Sequence, residues 1–312
     1  MCHQSAGNNL ETIDFILLYA NNINQYSALA VGFTGGLILG SFINVIVYRI
    51  PLMIENTLQL NTIHILEQMG IQTNTHKVVN QSSGFREFNI TKPRSHCPTC
   101  AQQLLNRHLI PLLSFVLLLG KCHFCKRPIS IRYPLIEIIS GTMTAYIFYR
   151  FGFTLMAAGS CAFLWILLAL SFIDLEKKIL PDSLTIPLLW LGLAFNLITD
   201  NVAIETSILG VIAGYIFLQA IALIFRWTTT REGIGQGDIK LTASLGAWLG
   251  WASLPTLLVL SSSLGIIVQC ARMLVNNSKD REFAFGPYLA IGGLIVFFWE
   301  IEINHLLSQY IN

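Results

Sequence analysis

The stretch I-E-T-S-I-L-G-V-I-A-G-Y-I-F-L-Q-A-I-A-L-I-F, residues 204–225, decides the fold class. It carries a single charged residue, Glu205, and a helix needs roughly 20 apolar residues at about 1.5 Å each to cross the hydrocarbon core of a bilayer. Seven further runs of this kind lie at 27–48, 133–151, 154–173, 183–199, 239–252, 254–275 and 284–304, of which 239–252 is short. The run 109–119 is apolar but only 11 residues long, which suits a buried segment of a small domain or an interfacial hairpin better than a span. The whole chain agrees with this reading: of its 312 residues 54% are hydrophobic and 12% charged, with a mean hydropathy of +0.61. A soluble domain carries about 25% charged residues, so the supply for a wetted surface is about half the usual one. That excludes a compact soluble enzyme, a basic nucleic-acid-binding protein and a disordered chain. The expected fold class is an all-α polytopic membrane protein of about eight transmembrane helices. No charged n-region precedes an apolar run at the start, and none precedes Cys2, so neither a cleavable signal peptide nor a lipoprotein anchor is expected.

A net charge of only +2 hides an asymmetry that sets the expected orientation. Segment 49–133 holds ten of the 19 Lys and Arg residues against three acids, a local net of +7. Threading eight spans puts three later turns on the same side: Lys177 with Lys178, Arg226 with Arg231 and Lys240, and Arg272 with Lys279 and Arg281. Only Arg150 falls opposite, and 200–203 contains no base. The positive-inside rule then places 49–133 and those turns in the cytoplasm, with both termini outside. The expected domains are an N-terminal extracytoplasmic segment at 1–26, the first transmembrane helix at 27–48, a cytoplasmic metal-binding domain at 49–132 and a membrane-embedded domain at 133–312.

Four of the seven cysteines stand in one pattern, C-P-T-C at Cys97 and Cys100 and C-H-F-C at Cys122 and Cys125. Two C-x-x-C turns each present two thiolates, and together they make the usual tetrahedral four-cysteine zinc site. A reducing cytoplasm disfavours disulfides, leaving zinc or free thiols as the readings. His96 and His123 are neighbours able to substitute as ligands, but a spare His beside such a turn is more often polar surface. Four protein ligands leave no open position for water, so the zinc is structural. The expected module is a zinc-ribbon-like loop between the first two spans. Its bases Lys121, Lys126 and Arg127 suit nucleic acid or anionic lipid headgroups equally; without interleaved aromatic residues, nucleic acid is not the expected partner. Cys2, Cys161 and Cys270 are isolated and read as inert packing residues.

Acids at the ends of apolar spans are costly and mark function. Asp174 ends the third span in S-F-I-D-L-E-K-K-I-L-P-D, and Asp238 stands in G-I-G-Q-G-D-I-K-L at the entrance to the sixth. The threading brings both to the cytoplasmic boundary. Two such carboxylates are what a water-activating aspartyl protease needs, one taking a proton from water and the other hydrogen-bonding the scissile carbonyl. Asp238 at a helix start and Asp174 at a helix end suggest Asp238 as first base and Asp174 as first acid, although a coupled pair titrates as a unit. Capping is the alternative for Asp238 and the preferred reading for Asp182, which follows Pro181 at the start of span four. Glu137 lacks a partner acid and is expected to bridge to a base such as Arg132; Glu300 is expected at the interface.

These motifs, taken together, resemble the bacterial prepilin peptidases (type IV leader peptidase and N-methyltransferase), members of the G-x-G-D aspartyl protease group. The likeness runs from about Gly40 to Gly293 through G-S-F-I-N-V-I-V-Y-R-I-P at 40–51, K-P-R-S-H-C-P-T-C at 92–100 and I-P-L-L-S-F at 110–115. It continues through G-K-C-H-F-C-K-R-P-I-S-I-R-Y-P-L-I-E at 120–137, F-I-D-L-E-K-K-I-L-P-D-S-L-T-I-P-L-L-W at 172–190, G-Q-G-D-I-K-L at 235–241 and F-G-P-Y-L-A-I-G-G at 285–293. The resemblance implies that Asp174 and Asp238 are the catalytic pair. It implies removal, after a Gly at the cytoplasmic face of the inner membrane, of the leader of type IV prepilins or type II secretion pseudopilins. It also implies methylation of the new N-terminal amine by S-adenosylmethionine, with the cytoplasmic loop involved and Gly120 as a guess for the donor site. Ala101, Gln236, His108-Leu109 and Leu119 depart from the family pattern, but none of these changes touches the aspartates or the cysteines. The alternatives are a peptidase without methyltransferase activity and a zinc-stabilised membrane scaffold or transporter. The sequence does not fix the oligomeric state.

Overall fold

The computed structural model describes residues 5–69, 89–97, 99–105, 109–229, 233–275 and 283–311, with side chains given within 25–299 apart from 67 and 275. Nine helices make up nearly all of it. They are α1 (Ser5–Gln68), α2 (Leu113–Leu117), α3 (Arg132–Phe151), α4 (Leu155–Lys177), α5 (Asp182–Thr199), α6 (Ile204–Thr229), α7 (Gln236–Leu249), α8 (Leu254–Val275) and α9 (Gly286–Ile311). No strand occurs among the described residues, which contain only two isolated bridges, His96 with Gln103 and Lys121 with Pro128. The all-α membrane class read from the sequence is therefore the observed one.

The count of eight spans is not reached by length and apolarity. Among the described residues five helices are long and apolar enough to cross a membrane: α1 over Gln25–Leu66, α4, α5, α6, and α8 over Leu254–Leu274. The other three expected spans are present as helices. Helix α3 is diluted by Glu137, Ser140, Gly141, Thr142 and Thr144, and α9, apolar over Gly286–Trp299 where its side chains are described, kinks at Trp299. Helix α7 has 14 residues, about 21 Å at 1.5 Å per residue and short of a bilayer core of about 30 Å. Helix α1, by contrast, overruns the expected boundary at 48 and continues to Gln68. Residues 52–68 contain no glycine or further proline, and Pro51 inside the helix removes one backbone hydrogen bond without ending it.

The chain divides into two compact units, Met1–Phe42 with His96–Trp165, and Ile43–Ser95 with Ile166–Asn312. In the first, α1 lies on α3 through glycines spaced every fourth residue. A Cβ on Gly36 would lie 2.8 Å from the Gly141 Cα, and the Ser140 hydroxyl donates to the Gly36 carbonyl at 2.6 Å. Small residues at that period let two membrane helices approach backbone to backbone.

In the second unit α7 is the central post, buried along Leu241–Leu249 and packed by α5, α6 and α9. The Trp248 indole donates to the Leu188 carbonyl at 2.9 Å and stacks on Phe195. The Asn196 amide nitrogen donates to Ser207 Oγ and to the Ala247 carbonyl, each at 2.9 Å. A helix enclosed by protein on every side satisfies its own backbone and need not match the bilayer thickness. This is why the shortest of the expected spans survives as a helix.

Candidate active site and candidate metal centre

The candidate metal centre is assembled from two copies of one local turn. At the first, the Cys97 N–H donates to the Gln102 carbonyl at 3.0 Å and the Ala101 N–H to the Cys97 carbonyl at 2.9 Å. At the second, the Cys122 N–H donates to the Arg127 carbonyl at 2.8 Å and the Lys126 N–H to the Cys122 carbonyl at 3.0 Å. Each turn closes with an isolated bridge, and each puts its fourth residue after the first cysteine in the left-handed region, Ala101 at φ 56 and Lys126 at φ 58. The family departure at Ala101 thus falls where the backbone favours glycine.

The four sulfurs all lie within 4.8 Å of one another, and Cys97 Sγ is 3.9 Å from Cys125 Sγ. A tetrahedral ion with metal–sulfur bonds of about 2.3 Å has sulfur–sulfur edges of roughly 3.8 Å, so the cluster can hold one metal ion. Among the described residues the metal-competent group is the four cysteines alone, without His96 or His123. Burial pushes the Cys97 thiol up, but the backbone N–H groups of Cys100 and Thr99 and the sulfurs of Cys100 and Cys122 outweigh it and hold it at about 6. The Gln102 backbone draws the Cys100 thiol down, yet burial and the Cys97 and Cys125 sulfurs push it up to about 11. Thiolates this close repel one another, and a central divalent cation removes the conflict.

The aspartates are brought together from three distant stretches of chain. Asp174 sits near the end of α4 and is buried. Its Oδ2 accepts the N–H of Gly286, the first residue of α9, at 2.9 Å. Asp238 is the third residue of α7, and its carboxylate takes a hydrogen bond from the backbone of Gly235, the residue that flanks the helix. That is half of a capping box, so the capping reading of Asp238 holds alongside any chemical one. Leu180 lies between the two backbones that hold the aspartates: a Cβ on Gly237, next to Asp238, would come 2.7 Å from Leu180 Cβ, and one on Gly286 would come 3.1 Å from Leu180 Cδ2 and 2.8 Å from Asp174 Oδ2. Glycine at these two places lets backbone and carboxylates close on one another. Both acids face a helix N-terminus, so the helix-end field invoked to separate acid from base does not separate them.

The capping role expected of Asp182 is corrected. Pro181 flanks α5, which has no side-chain cap, and both Asp182 oxygens are held instead by Lys240 Nζ at 2.7 and 2.8 Å. Lys240 is two residues beyond Asp238, so the ion pair ties the start of α5 to the first turn of α7. Glu137 is buried and accepts the Leu112 N–H at 2.9 Å and a hydrogen bond from Ser41. Cys161 is buried as expected, but Cys270 is exposed on α8 and is no packing residue. Cys2, the Glu300 side chain and the bases Lys77, Arg86, Arg107, Arg231, Lys279 and Arg281 lie outside what is described. Gly120 has φ +66, and the ring of Phe115 occupies the space beside it, 3.0 Å from where a Cβ would stand. Its glycine thus answers to the turn and to Phe115, and gives no sign of a cradle for a methyl donor. The Gly286 N–H, Leu180 and Lys240 were missed in the sequence. Only Lys240 had a signal there, a lone base within two residues of an acid.

Two family profiles cover the chain in tandem. The Bacterial Peptidase A24 N-terminal domain matches residues 34–151, and the Type IV leader peptidase family matches 161–270. A protein of Neisseria gonorrhoeae named prepilin leader peptidase/N-methyltransferase is 39% identical over 262 residues, which is 84% of this chain and 87% of that protein. Proteins of the same name from Stutzerimonas stutzeri and Pseudomonas aeruginosa are each 37% identical over 88% of this chain, and over 92% and 91% of their own lengths. No solved structure matches the chain significantly.

Proposed function

The chain belongs to the type IV leader peptidase family, and from that premise we propose that it removes the leader of type IV prepilins or type II secretion pseudopilins and methylates the N-terminus so exposed. The observation that supports the peptidase half is that Gly237, next to Asp238, and Gly286, whose N–H holds Asp174, both pack against Leu180. In this reading the pair shares one proton. The ionised carboxylate takes a proton from water as the water oxygen attacks the scissile carbonyl carbon, and the protonated partner donates to the carbonyl oxygen. Collapse of the tetrahedral intermediate returns a proton to the leaving nitrogen and breaks the C–N bond. The Gly286 N–H fixes Asp174, and the Gly235 backbone fixes Asp238, so neither carboxylate has to be ordered when substrate arrives. Which acid acts first is left to the shared proton.

The distribution of basic turns supports a site at the cytoplasmic face of the inner membrane, where a leader ending in Gly would present its peptide bond. The ion fitted by the four sulfurs is zinc. Zinc prefers tetrahedral thiolates, and four of them leave it structural. The methyl donor is S-adenosylmethionine, and the accepting α-amine, with a pKa of about 8, is partly neutral near neutral pH. The intact cysteine module and the shared name of the relatives favour both activities over a peptidase alone.

The test uses full-length protein in detergent, a synthetic prepilin, and mass spectrometry with and without S-adenosylmethionine. Leader loss with wild type and with Asp200→Asn, none with Asp174→Asn or Asp238→Asn, and a gain of one methyl group only with donor would support the proposal. Leader loss in both aspartate variants would defeat it.

A further inference from the structure

Around α2 the chain turns large apolar side chains outward. Leu113, Val116 and Leu117 are 51%, 64% and 72% exposed, and Leu119, in the left-handed region at φ 52, is 83% exposed. The spacing of the first three puts them on one face of the short helix. Phe115 points elsewhere, its ring lying against Gly120. None of these residues belongs to a helix fit to span a membrane, so their exposure is not the ordinary lipid-facing surface of a span. Beside them, on the second cysteine turn, Lys121, Lys126 and Arg127 are exposed as well. No acid occurs from residue 109 to residue 136, and α3 begins at Arg132, a few residues beyond the cations.

A protruding apolar face edged by cations and free of acids matches a bilayer surface rich in anionic headgroups. Apolar side chains bury into the boundary between headgroups and acyl chains, and each nearby base adds attraction to the negative leaflet. We propose that α2 and the second cysteine turn form a membrane-docking face of the metal module. Leu113, Val116, Leu117 and Leu119 enter the bilayer interface, while Lys121, Lys126 and Arg127 meet anionic lipid headgroups. The module then rests on the membrane instead of hanging free on its linkers, at the depth where the N-terminus of a membrane-anchored substrate emerges. The proposal rests on the membrane reading of the chain and is independent of the aspartate chemistry.

The experiment places photoreactive benzoylphenylalanine at Leu117, and as control at the exposed Thr91, in the full-length protein. Each variant is reconstituted in vesicles of phosphatidylethanolamine and phosphatidylglycerol, irradiated, and analysed by mass spectrometry of the adducts. Retained prepilin cleavage and metal content show that each is folded. Lipid adducts at Leu117 should exceed those at Thr91 by about fivefold or more, as insertion into the interface requires. Changing Lys121→Gln, Lys126→Gln and Arg127→Gln together should lower that yield about threefold in these vesicles and leave it unchanged in pure phosphatidylcholine. Equal lipid labelling at the two positions overturns the proposal. So does a dominant adduct with a second copy of the chain, or with added prepilin, since either would make α2 a protein-docking face.

Discussion

The cysteine module and the aspartate site are built in opposite ways. Each half of the metal centre is a turn of a few residues whose hydrogen bonds run to its own neighbours. The aspartate site needs α4, α7 and α9 at once, with Asp174 held by a backbone N–H 112 residues away. A local site is specified by spacing and tolerates movement of the rest of the chain. A site assembled from distant segments depends on every helix contact that sets its distances. The two should therefore fail separately, and to different degrees.

The largest separation is expected from exchanging the chemical groups themselves. Asp174→Asn or Asp238→Asn should lower prepilin cleavage by on the order of 10³-fold or more, the scale of a lost acid or base, while bound metal by elemental analysis stays at one equivalent. Cys122→Ser should do the reverse to the metal, bringing it toward zero. Acidification should release the metal from the wild type, because protons compete for the thiolates.

Next in size is Gly286→Ala. Its Cβ would stand 2.8 Å from Asp174 Oδ2, forcing a displacement that should reduce kcat by about 10²-fold without changing metal content. A variant with wild-type kcat would show that α9 does not position Asp174. Smaller again is the Asp182–Lys240 pair, which is exposed by 55% and 38%. Such pairs contribute about 0.2–1 kcal/mol, so Lys240→Gln should slow cleavage by no more than about fivefold, and a hundredfold loss would make the pair part of the chemistry. The gentlest test touches the module alone. Ala101→Gly relieves a left-handed backbone that costs a side chain about 1 kcal/mol, so metal release by a chelator should slow by about fivefold, with cleavage unaffected.

The same contrast explains what could be read from the sequence. The cysteine pairs were legible because their geometry is local, down to the module being the only metal-competent group among the described residues. The aspartate pair was legible as two acids at span ends. Its support was not, because Gly286 contributes a backbone N–H and Leu180 a contact, and neither leaves a chemical mark in the sequence. Asp182 was misread because a Pro-Asp at a helix start looks like a cap until the partner Lys240 is brought beside it. The count of eight spans is left unconfirmed for a related reason: hydropathy finds runs that face lipid, whereas α7 is short and enclosed by α5, α6 and α9.

The central claim is that the aspartate pair cuts the leader and takes no part in the methylation. It is tested most directly by giving Asp238→Asn two substrates, an intact prepilin and a mature pilin already lacking its leader, both with S-adenosylmethionine. The account predicts intact prepilin that stays uncut and mature pilin that gains one methyl group at the wild-type rate. Cleavage of the intact prepilin within tenfold of wild type would contradict it.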